Sequence, residues 1–260
     1  MLDLAPRGNP AAVVPLTQWL SDDLMQDIAA ENNLSETAFF VPAGAGKYDL
    51  RWFTPSVEVS LCGHATLASG YVVLTHLQPQ LSRVEFSTKS GILTVEKAAD
   101  GYLAMALPAY AAVPHPEGED FKEALEEALN LDALEVFKAN YPLAVFATAD
   151  EIFEAESDGL LADMLDEFEE DGVIITAPGG DLGFDFVSRF FVPGKGIAED
   201  PVTGSTHSAL VPFWAKRLGK AKLIARQVSP RGGTLICEEQ GERVLLKGKV
   251  APYLEGVIMV

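Results

Sequence analysis

The sequence predicts an α+β protein built from two similar lobes. Segments typical of strands and helices are mixed through both halves of the 260 residues. In two places, a strand ending in Arg-aromatic-Phe-x-Pro leads through a loop to a helix start rich in small residues. These places are residues 51–66 and 189–207, and the second loop is about three residues longer. We therefore expect lobes spanning 1–110 and 111–260, with a cleft lined by equivalent elements of each.

Charge and composition exclude several classes of protein. The chain has 19 basic and 38 acidic residues, and its net charge of −19 argues against nucleic acid as a partner. With 48% hydrophobic and 22% charged residues, it can bury a sizeable core and is not a disordered chain. The longest uncharged stretch, 59–82, contains Gly63, His64 and Pro79. We interpret it as a buried helix and expect no contact with a membrane.

The cysteines and histidines give no sign of a disulfide framework or a metal site. Cys62 and Cys237 are far apart in sequence, so we expect reduced thiols in a cytoplasmic protein. The first twenty residues lack the apolar core of a secretion signal. The four histidines show no metal-ligand spacing with the cysteines, and neither a P-loop nor a dinucleotide fingerprint occurs. We expect no metal and no cofactor.

The first lobe is predicted to contain two helices among its strands. Ser21 is a suitable cap for a helix that ends at Asn32-Asn33. A second helix begins at Gly63 and is apolar on nearly all sides, so we expect it to be covered everywhere. The strands are predicted at 13–14, 36–41 and 51–53, followed by a β-meander over 83–107.

The second lobe is predicted to follow a proline-bearing boundary at 108–116. An acidic helix is expected from about 118 to 130, and another helix from 204 to 218. The strands are predicted near 141–147, 173–177 and 185–191, with a helix between the first two, and then around 227–229, 234–238, 243–246 and 254–260. The last of these strands could return to the first lobe.

Two helix starts indicate an anion site. The backbone N–H groups of a first helical turn are unpaired and partly positive, and glycine allows an anion to approach them closely. If Gly63-His64 and Gly204-Ser205 face each other across a cleft, they would hold one small carboxylate or phosphate. A chain of charge −19 needs such a local positive site to bind an anionic substrate. Close packing is the alternative explanation for each glycine.

Two carboxylates are candidates for chemistry. Glu36 lies in the otherwise uncharged run 34–40. An apolar setting raises the pKa of a carboxyl group, which suits it to proton transfer near neutrality. Alternatively, Glu36 satisfies a helix end or lies on an exposed edge. Asp200 lies just before the second helix start, where it could orient a catalytic group or cap Thr203 or Ser205.

Four sequence blocks resemble the signature blocks of the PhzF (phenazine biosynthesis) family. They are residues 8–13 (GNPAAV), 33–39 (NLSETAF), 62–66 (CGHAT) and 199–207 (EDPVTGSTH). The resemblance implies a diaminopimelate-epimerase-like fold, in which two pseudo-symmetric lobes each form a curled β-sheet or open barrel around a central helix. The family usually has a strand before Gly-Asn-Pro. Here residues 1–7 precede that block, so we expect this strand to be short or missing.

The resemblance also implies roles for individual residues and a homodimeric assembly. Glu36 corresponds to the acid/base of the family, and His64 and Asp200 correspond to residues of substrate binding and proton transfer. The implied substrate-binding residues are Gly63, His64, Gly204 and Ser205, with Asn9 as a further contact in the cleft. The family name does not establish phenazine synthesis.

The leading hypothesis is a cofactor-independent isomerase that moves a proton on a small carboxylated metabolite, either amino acid-like or cyclic. Related epimerases place a cysteine before each helix start, but here Cys62-Gly63 is matched by Thr203-Gly204. Because a hydroxyl has a pKa far above that of a thiol, threonine cannot replace the second cysteine. Glu36 alone could remove and return the proton. The alternatives are a racemase or epimerase using Cys62 with Glu36, and a catalytically inert binding protein with this fold.

Overall fold

A computed structural model describes residues 7–260 of the chain. The described part forms two compact units, one comprising residues up to Ala106 together with Lys247–Val260 and the other Leu107–Leu246. The position of the strand expected before Gly-Asn-Pro lies in residues 1–6, outside the described part. The α-helices of residues 7–260 are α1 Asp22–Asn32, α2 Gly63–Val72, α3 Gly118–Leu129, α4 Ala149–Glu154, α5 Gly159–Glu167 and α6 Gly204–Leu218.

The β-strands are short and distributed over both units. In the first half of the chain they are β1 Ala11–Pro15, β2 Glu36–Gly44, β3 Lys47–Phe53, β4 Glu58–Val59, β5 Arg83–Thr88, β6 Gly91–Lys97 and β7 Leu103–Pro108. Further along they are β8 Val113–Pro114, β9 Glu135–Lys138, β10 Pro142–Val145, β11 Val173–Pro178, β12 Phe186–Phe191, β13 Lys222–Gln227, β14 Gly233–Gln240 and β15 Arg243–Gly248.

The sheet of the first unit surrounds helix α2. Strand β1 is parallel to β2, β2 is antiparallel to β3, β3 is parallel to β5, and β5, β6 and β7 follow as an antiparallel meander. Helix α2 contacts β1, β2 and β6. A Cβ atom added at Gly70 would lie 2.5 Å from Cγ1 of Val95 in β6. Only glycine therefore allows the helix to approach the sheet this closely.

Helix α1 covers an aromatic core in this unit. Ser21 accepts a hydrogen bond from the Leu24 N–H at 3.3 Å, and Asn33 ends the helix in the left-handed conformation with φ of 48°. Both predicted ends are confirmed. The buried residues beneath α1 include Phe39 and Phe53, whose rings meet edge to face at 5.6 Å between centroids.

The second unit repeats the pairing order of the first. Strand β10 is parallel to β11, β11 is antiparallel to β12, β12 is parallel to β13, and β13 is antiparallel to β14. This order matches that of β1, β2, β3, β5 and β6. Helix α6 occupies the place of α2, between the third and fourth strands of the series, and contacts β13 and β14. The predicted repeat of a sheet with a central helix is therefore a property of the fold.

An arginine–glutamate pair marks the same position in both repeats. Arg51 binds Glu58 through Nε and Nη2 at 2.8 and 2.9 Å, and Arg189 binds Glu199 through the same atoms at the same distances. In each case the strand residue two places after the arginine pairs with the glutamate. Each glutamate lies five residues before the glycine that begins the central helix. The ion pair therefore fixes the loop from which that helix starts.

Several predicted elements differ from the structure. Residues 254–260 form no strand, because Pro252 lies just before the segment, Gly256 interrupts it, and no described strand pairs with it; their side chains are exposed. The strand predicted at 227–229 is instead β13, Lys222–Gln227. Two helices, α4 and α5, lie where one was predicted, because Asp158 caps a second start.

Helix α2 is covered less completely than its apolar sequence predicts. Thr66, Ser69 and Gly70 are buried, whereas Leu67 and Tyr71 are half-buried. The Thr66 and Ser69 hydroxyls donate to the carbonyls of Cys62 and Ala65, so these polar residues are satisfied in the buried face. No helix within residues 7–260 is long and apolar enough to cross a membrane.

We expect the two arginine pairs to differ in their effect on stability. Removing the Arg189 side chain leaves Glu199, with a side chain only 13% exposed, without its cation. The same change removes a donor from the Ala155 carbonyl. Arg189→Ala should therefore cost about 3–5 kcal/mol of the free energy of unfolding. Arg51→Ala should cost less, since Glu58 also pairs with Lys89. Urea denaturation measures both, and a larger loss in Arg51→Ala would contradict this.

Candidate functional site

Four of the residues singled out in the sequence meet at the start of helix α2. Glu36 is the first residue of β2, and Cys62 is the N-cap residue of α2. Glu36 Oε2 lies 3.0 Å from His64 Nε2, and Cys62 Sγ lies 3.5 Å from His64 Nδ1. Asn9 Nδ2 lies 3.2 Å from the same Nδ1. The His64 ring therefore connects a carboxylate to a thiol, and we call these four residues the His64 cluster.

Strand pairing and helix position explain why the cluster forms. The parallel pairing of β1 with β2 aligns Ala11 with Glu36, so the residues just before β1 lie beside the beginning of β2. Helix α2 contacts both strands, which brings its first turn to the same place. Residues more than fifty positions apart in sequence thus meet without any local motif.

The cluster is largely shielded from solvent. The side chains of Glu36 and His64 are each 18% exposed, and Cys62 is 5% exposed. Burial raises the pKa of the Cys62 thiol, which favours its neutral form. Burial by itself lowers the pKa of His64, but the Cys62 sulfur, as a hydrogen-bond acceptor, and the charged Glu36 carboxylate raise this pKa above its ordinary value. A protonated His64 ring provides a cationic partner 3.0 Å from the Glu36 carboxylate.

A second cluster lies at the start of helix α6 in the other unit. The Thr203 hydroxyl donates to Asp200 Oδ2, which agrees with the capping alternative raised for Asp200. Gln227 accepts from the Thr203 N–H at 2.8 Å and donates to the Asp200 carbonyl at 2.7 Å. Asn140 donates to the Ser205 carbonyl at 3.0 Å. These bonds fix the loop that leads into Gly204 and Ser205.

Gln227 is a residue of this cluster that sequence reasoning missed. Its side chain is fully buried and makes three hydrogen bonds to the Asp200–Thr203 loop. The signal was an amide at an inward position of an alternating strand, where Leu223 and Ala225 occupy the other inward places. Shifting that strand to 227–229 hid this pattern.

Both central helices begin without a side-chain cap. Cys62 and Thr203 are the N-cap residues, with extended backbones, but neither side chain accepts a hydrogen bond from the first turn. Instead, residues four positions on bond back to the N-cap carbonyls: Thr66 to Cys62 at 2.6 Å and His207 to Thr203 at 2.7 Å. The N–H groups at Gly63-His64 and at Gly204-Ser205 therefore keep the anion-binding character of a helix start.

One set of side chains could hold a metal ion. One ligand atom each from Glu36, Cys62 and His64 lies within 4.8 Å of the others. Sequence spacing did not indicate this set, because Glu36 belongs to a strand and the other two residues belong to a distant helix start.

Comparison with known proteins identifies the family. The family described as "Phenazine biosynthesis-like protein", PhzC-PhzF, matches residues 3–256. The chain belongs to the PhzF family. It is 45% identical to an uncharacterized isomerase of Pseudomonas aeruginosa over 258 residues, covering 97% of this chain and 93% of that one. It is also 38% identical to the human phenazine biosynthesis-like domain-containing protein over 280 residues, covering 97% of this chain and 94% of that one.

A solved structure of the PhzF family agrees with the fold. The family member from Enterococcus faecalis superposes with a TM-score of 0.84 at 40% identity, covering 94% of this chain and 90% of that one. The fold predicted from the four sequence blocks, with a sheet and central helix in each half, is thereby confirmed as diaminopimelate-epimerase-like.

We expect the acid sensitivity of this PhzF protein to depend on His207. The ring is completely buried in α6, and burial lowers its pKa from 6.5 to about 4. Between these values the unfolded chain binds a proton that the folded chain rejects. The free energy of unfolding should therefore fall as pH falls from 6.5 to 4, by up to about 1.4 kcal/mol per pH unit from this group. In His207→Asn, urea denaturation across this range should show a shallower slope, and equal slopes would contradict the assignment.

Proposed function

We propose that this protein is an isomerase that moves a proton between two positions of a small carboxylated metabolite, with Glu36 as the acid/base. The observation that carries the proposal is the 3.0 Å contact between Glu36 and His64 at the start of α2. It places a carboxylate, its cationic partner and a helix start with free anion-binding capacity in one location. The names of the bacterial relatives as uncharacterized isomerases support the reaction class.

In the proposed reaction, the Glu36 carboxylate breaks a C–H bond of the substrate and becomes a carboxylic acid. The electrons of that bond delocalise toward the neighbouring unsaturated or carboxylated group. Glu36, whose acidic proton exchanges with solvent in part of the turnovers, then returns a proton to a different carbon, which restores the carboxylate. His64 holds the carboxylate in place through their 3.0 Å contact.

Helix starts are proposed to bind the carboxylate of the substrate. The N–H groups at Gly63-His64 would stabilise negative charge that develops beside the reacting carbon, and those at Gly204-Ser205 are the second anion-binding helix start that the sequence predicts. Asp200 is proposed to position the second of these starts through Thr203, in agreement with its hydrogen bond to that hydroxyl. Asn9 is proposed to line the site beside the His64 ring, where its amide lies 3.2 Å from Nδ1.

The second candidate function is a racemase that uses Cys62 and Glu36 as its two acid/base groups. A racemase needs an acid and a base on opposite faces of one carbon, each about 3–3.5 Å from it, so the two groups stand about 6–7 Å apart. Here the Glu36 and Cys62 ligand atoms lie within 4.8 Å of each other, and both contact one ring. This separation favours a single base acting on one face.

The assembly and setting of the enzyme remain predictions, the homodimer from the family resemblance and the rest from the sequence. We propose a homodimer in the cytoplasm that works without a cofactor. The net charge of −19 supports the absence of nucleic acid among its partners.

Deuterium exchange tests the proposed reaction. We expect incubation with a panel of small amino and cyclic carboxylic acids in D₂O to introduce deuterium at carbon in at least one member, detected by NMR. Glu36→Gln should slow this exchange by about 10²–10⁴-fold, the usual contribution of a positioned acid/base. Glu31→Gln, the same chemical change at an exposed position of α1, is the matched control and should not alter it. Ligand binding without exchange in the wild type would favour an inert binding protein instead.

Cys62→Ser separates the two enzymatic candidates. If Glu36 acts alone, the serine variant should retain exchange within about tenfold of the wild type, because the lost thiol only contacts the His64 ring. If Cys62 is one of two acid/base groups, the variant should lose inversion of configuration, measured by optical rotation. If Cys62→Ser lost as much exchange as Glu36→Gln does, the result would count against an isomerase in which Glu36 acts alone.

A further inference from the structure

We infer that Glu36, Cys62 and His64 form a binding site for a thiophilic divalent cation of the Zn²⁺ class, and that the cation switches the enzyme off. The three side chains offer a carboxylate oxygen, a sulfur and a ring nitrogen, which together form a donor set typical of zinc. The inhibitory part of this inference rests on the proposed function of Glu36, whereas the binding part does not.

The distance between sulfur and nitrogen fits tetrahedral coordination. With Zn–S near 2.3 Å and Zn–N near 2.05 Å, two ligands at the tetrahedral angle are separated by about 3.6 Å. Cys62 Sγ and His64 Nδ1 are 3.5 Å apart. These two atoms can thus bind one cation with almost no movement of the helix start that carries them, once the Asn9 amide, 3.2 Å from the same Nδ1, turns aside.

The carboxylate completes the set through a small rotation. The ligand atom of Glu36 lies within 4.8 Å of the other two, and ligand edges in such a site are about 3.4 Å, so a shift of at most about 1.4 Å closes the gap. Glu36 is the terminal residue of its strand, and its side chain keeps 18% exposure. It therefore has room to turn from Nε2 toward the cation.

The charges also balance. Binding converts the Cys62 thiol to a thiolate and the His64 imidazolium to the neutral ring, and both protons are released to solvent. One thiolate and one carboxylate neutralise a divalent cation. A buried site that pairs two anionic ligands with one such cation avoids the uncompensated charge that makes burial costly.

Binding at these atoms removes the catalytic base. A Glu36 carboxylate that ligates a cation cannot accept a proton from carbon, and His64 can no longer hold it by an ion pair. A cation of this class should therefore inhibit proton exchange, and a chelator should restore it. Hard cations such as Mg²⁺ should have no effect, because they prefer oxygen ligands over thiolates.

Cobalt absorption provides the test, using untagged full-length protein stripped with a chelator. We expect Co²⁺ to bind at one equivalent per chain and to give a near-ultraviolet sulfur-to-cobalt charge-transfer band that Zn²⁺ abolishes by competition. Cys62→Ser should lose the band, and Glu36→Gln should weaken Co²⁺ binding at least about tenfold. Cys237→Ser is the matched control, since it removes the other buried thiol and should leave the band intact.

The outcomes separate the site from the function. No saturable charge-transfer band in the wild type, or a band that survives in Cys62→Ser, would overturn the metal site. Because the band is read without substrate, this conclusion holds whether or not any panel acid is exchanged. Where exchange is observed, one equivalent of Zn²⁺ should lower its rate at least about tenfold, and an unchanged rate with the site filled would overturn the inhibition.

Discussion

The contact between Glu36 and His64 is the interaction on which the chemistry of this protein depends. An isolated carboxylate at that depth would be costly to keep charged, and a nearby imidazolium makes the anion favourable. The contact requires two features of the fold at once: the parallel pairing of β1 with β2, and the approach of α2 to the sheet at Gly70. A change that shifts either feature would separate the acid/base from its partner even if both residues were retained.

The two repeats share the same backbone arrangement but differ in the reactive side chains at their helix starts. Each has the arginine–glutamate pair, the glycine at the helix start and a bond back to the N-cap carbonyl. The first repeat has Cys62 and His64 at the N-cap and second helical positions, whereas the second has Thr203 and Ser205. The hydroxyls of the second repeat neither accept nor release protons near neutrality. This asymmetry is the structural basis for expecting one acid/base rather than two.

The fold and the residues of the His64 cluster were largely predictable from sequence. The capping residues Ser21 and Asn33 act locally, and the repeated Arg-aromatic-Phe-x-Pro strand exposed the internal symmetry. By contrast, β13 was shifted because Lys222 and Arg226 occupy its outward positions and the polar Gln227 occupies an inward one beside Leu223 and Ala225. The segment 254–260 has residues typical of a strand. A segment forms a strand only where a neighbouring strand pairs with it, and the residues of the segment alone do not show whether such a partner exists. The metal-ligand set was invisible for a similar reason, since spacing rules describe ligands within one element.

The charge state of His64 tests the central claim most directly. Long-range ¹H–¹⁵N NMR correlation reports whether each ring nitrogen carries a proton. The account predicts that at neutral pH both nitrogens of the His64 ring are protonated in the wild type, and that Glu36→Gln converts the ring to a neutral tautomer. A neutral His64 ring in the wild-type protein at neutral pH would contradict the ion pair with Glu36, and with it the role assigned to that carboxylate.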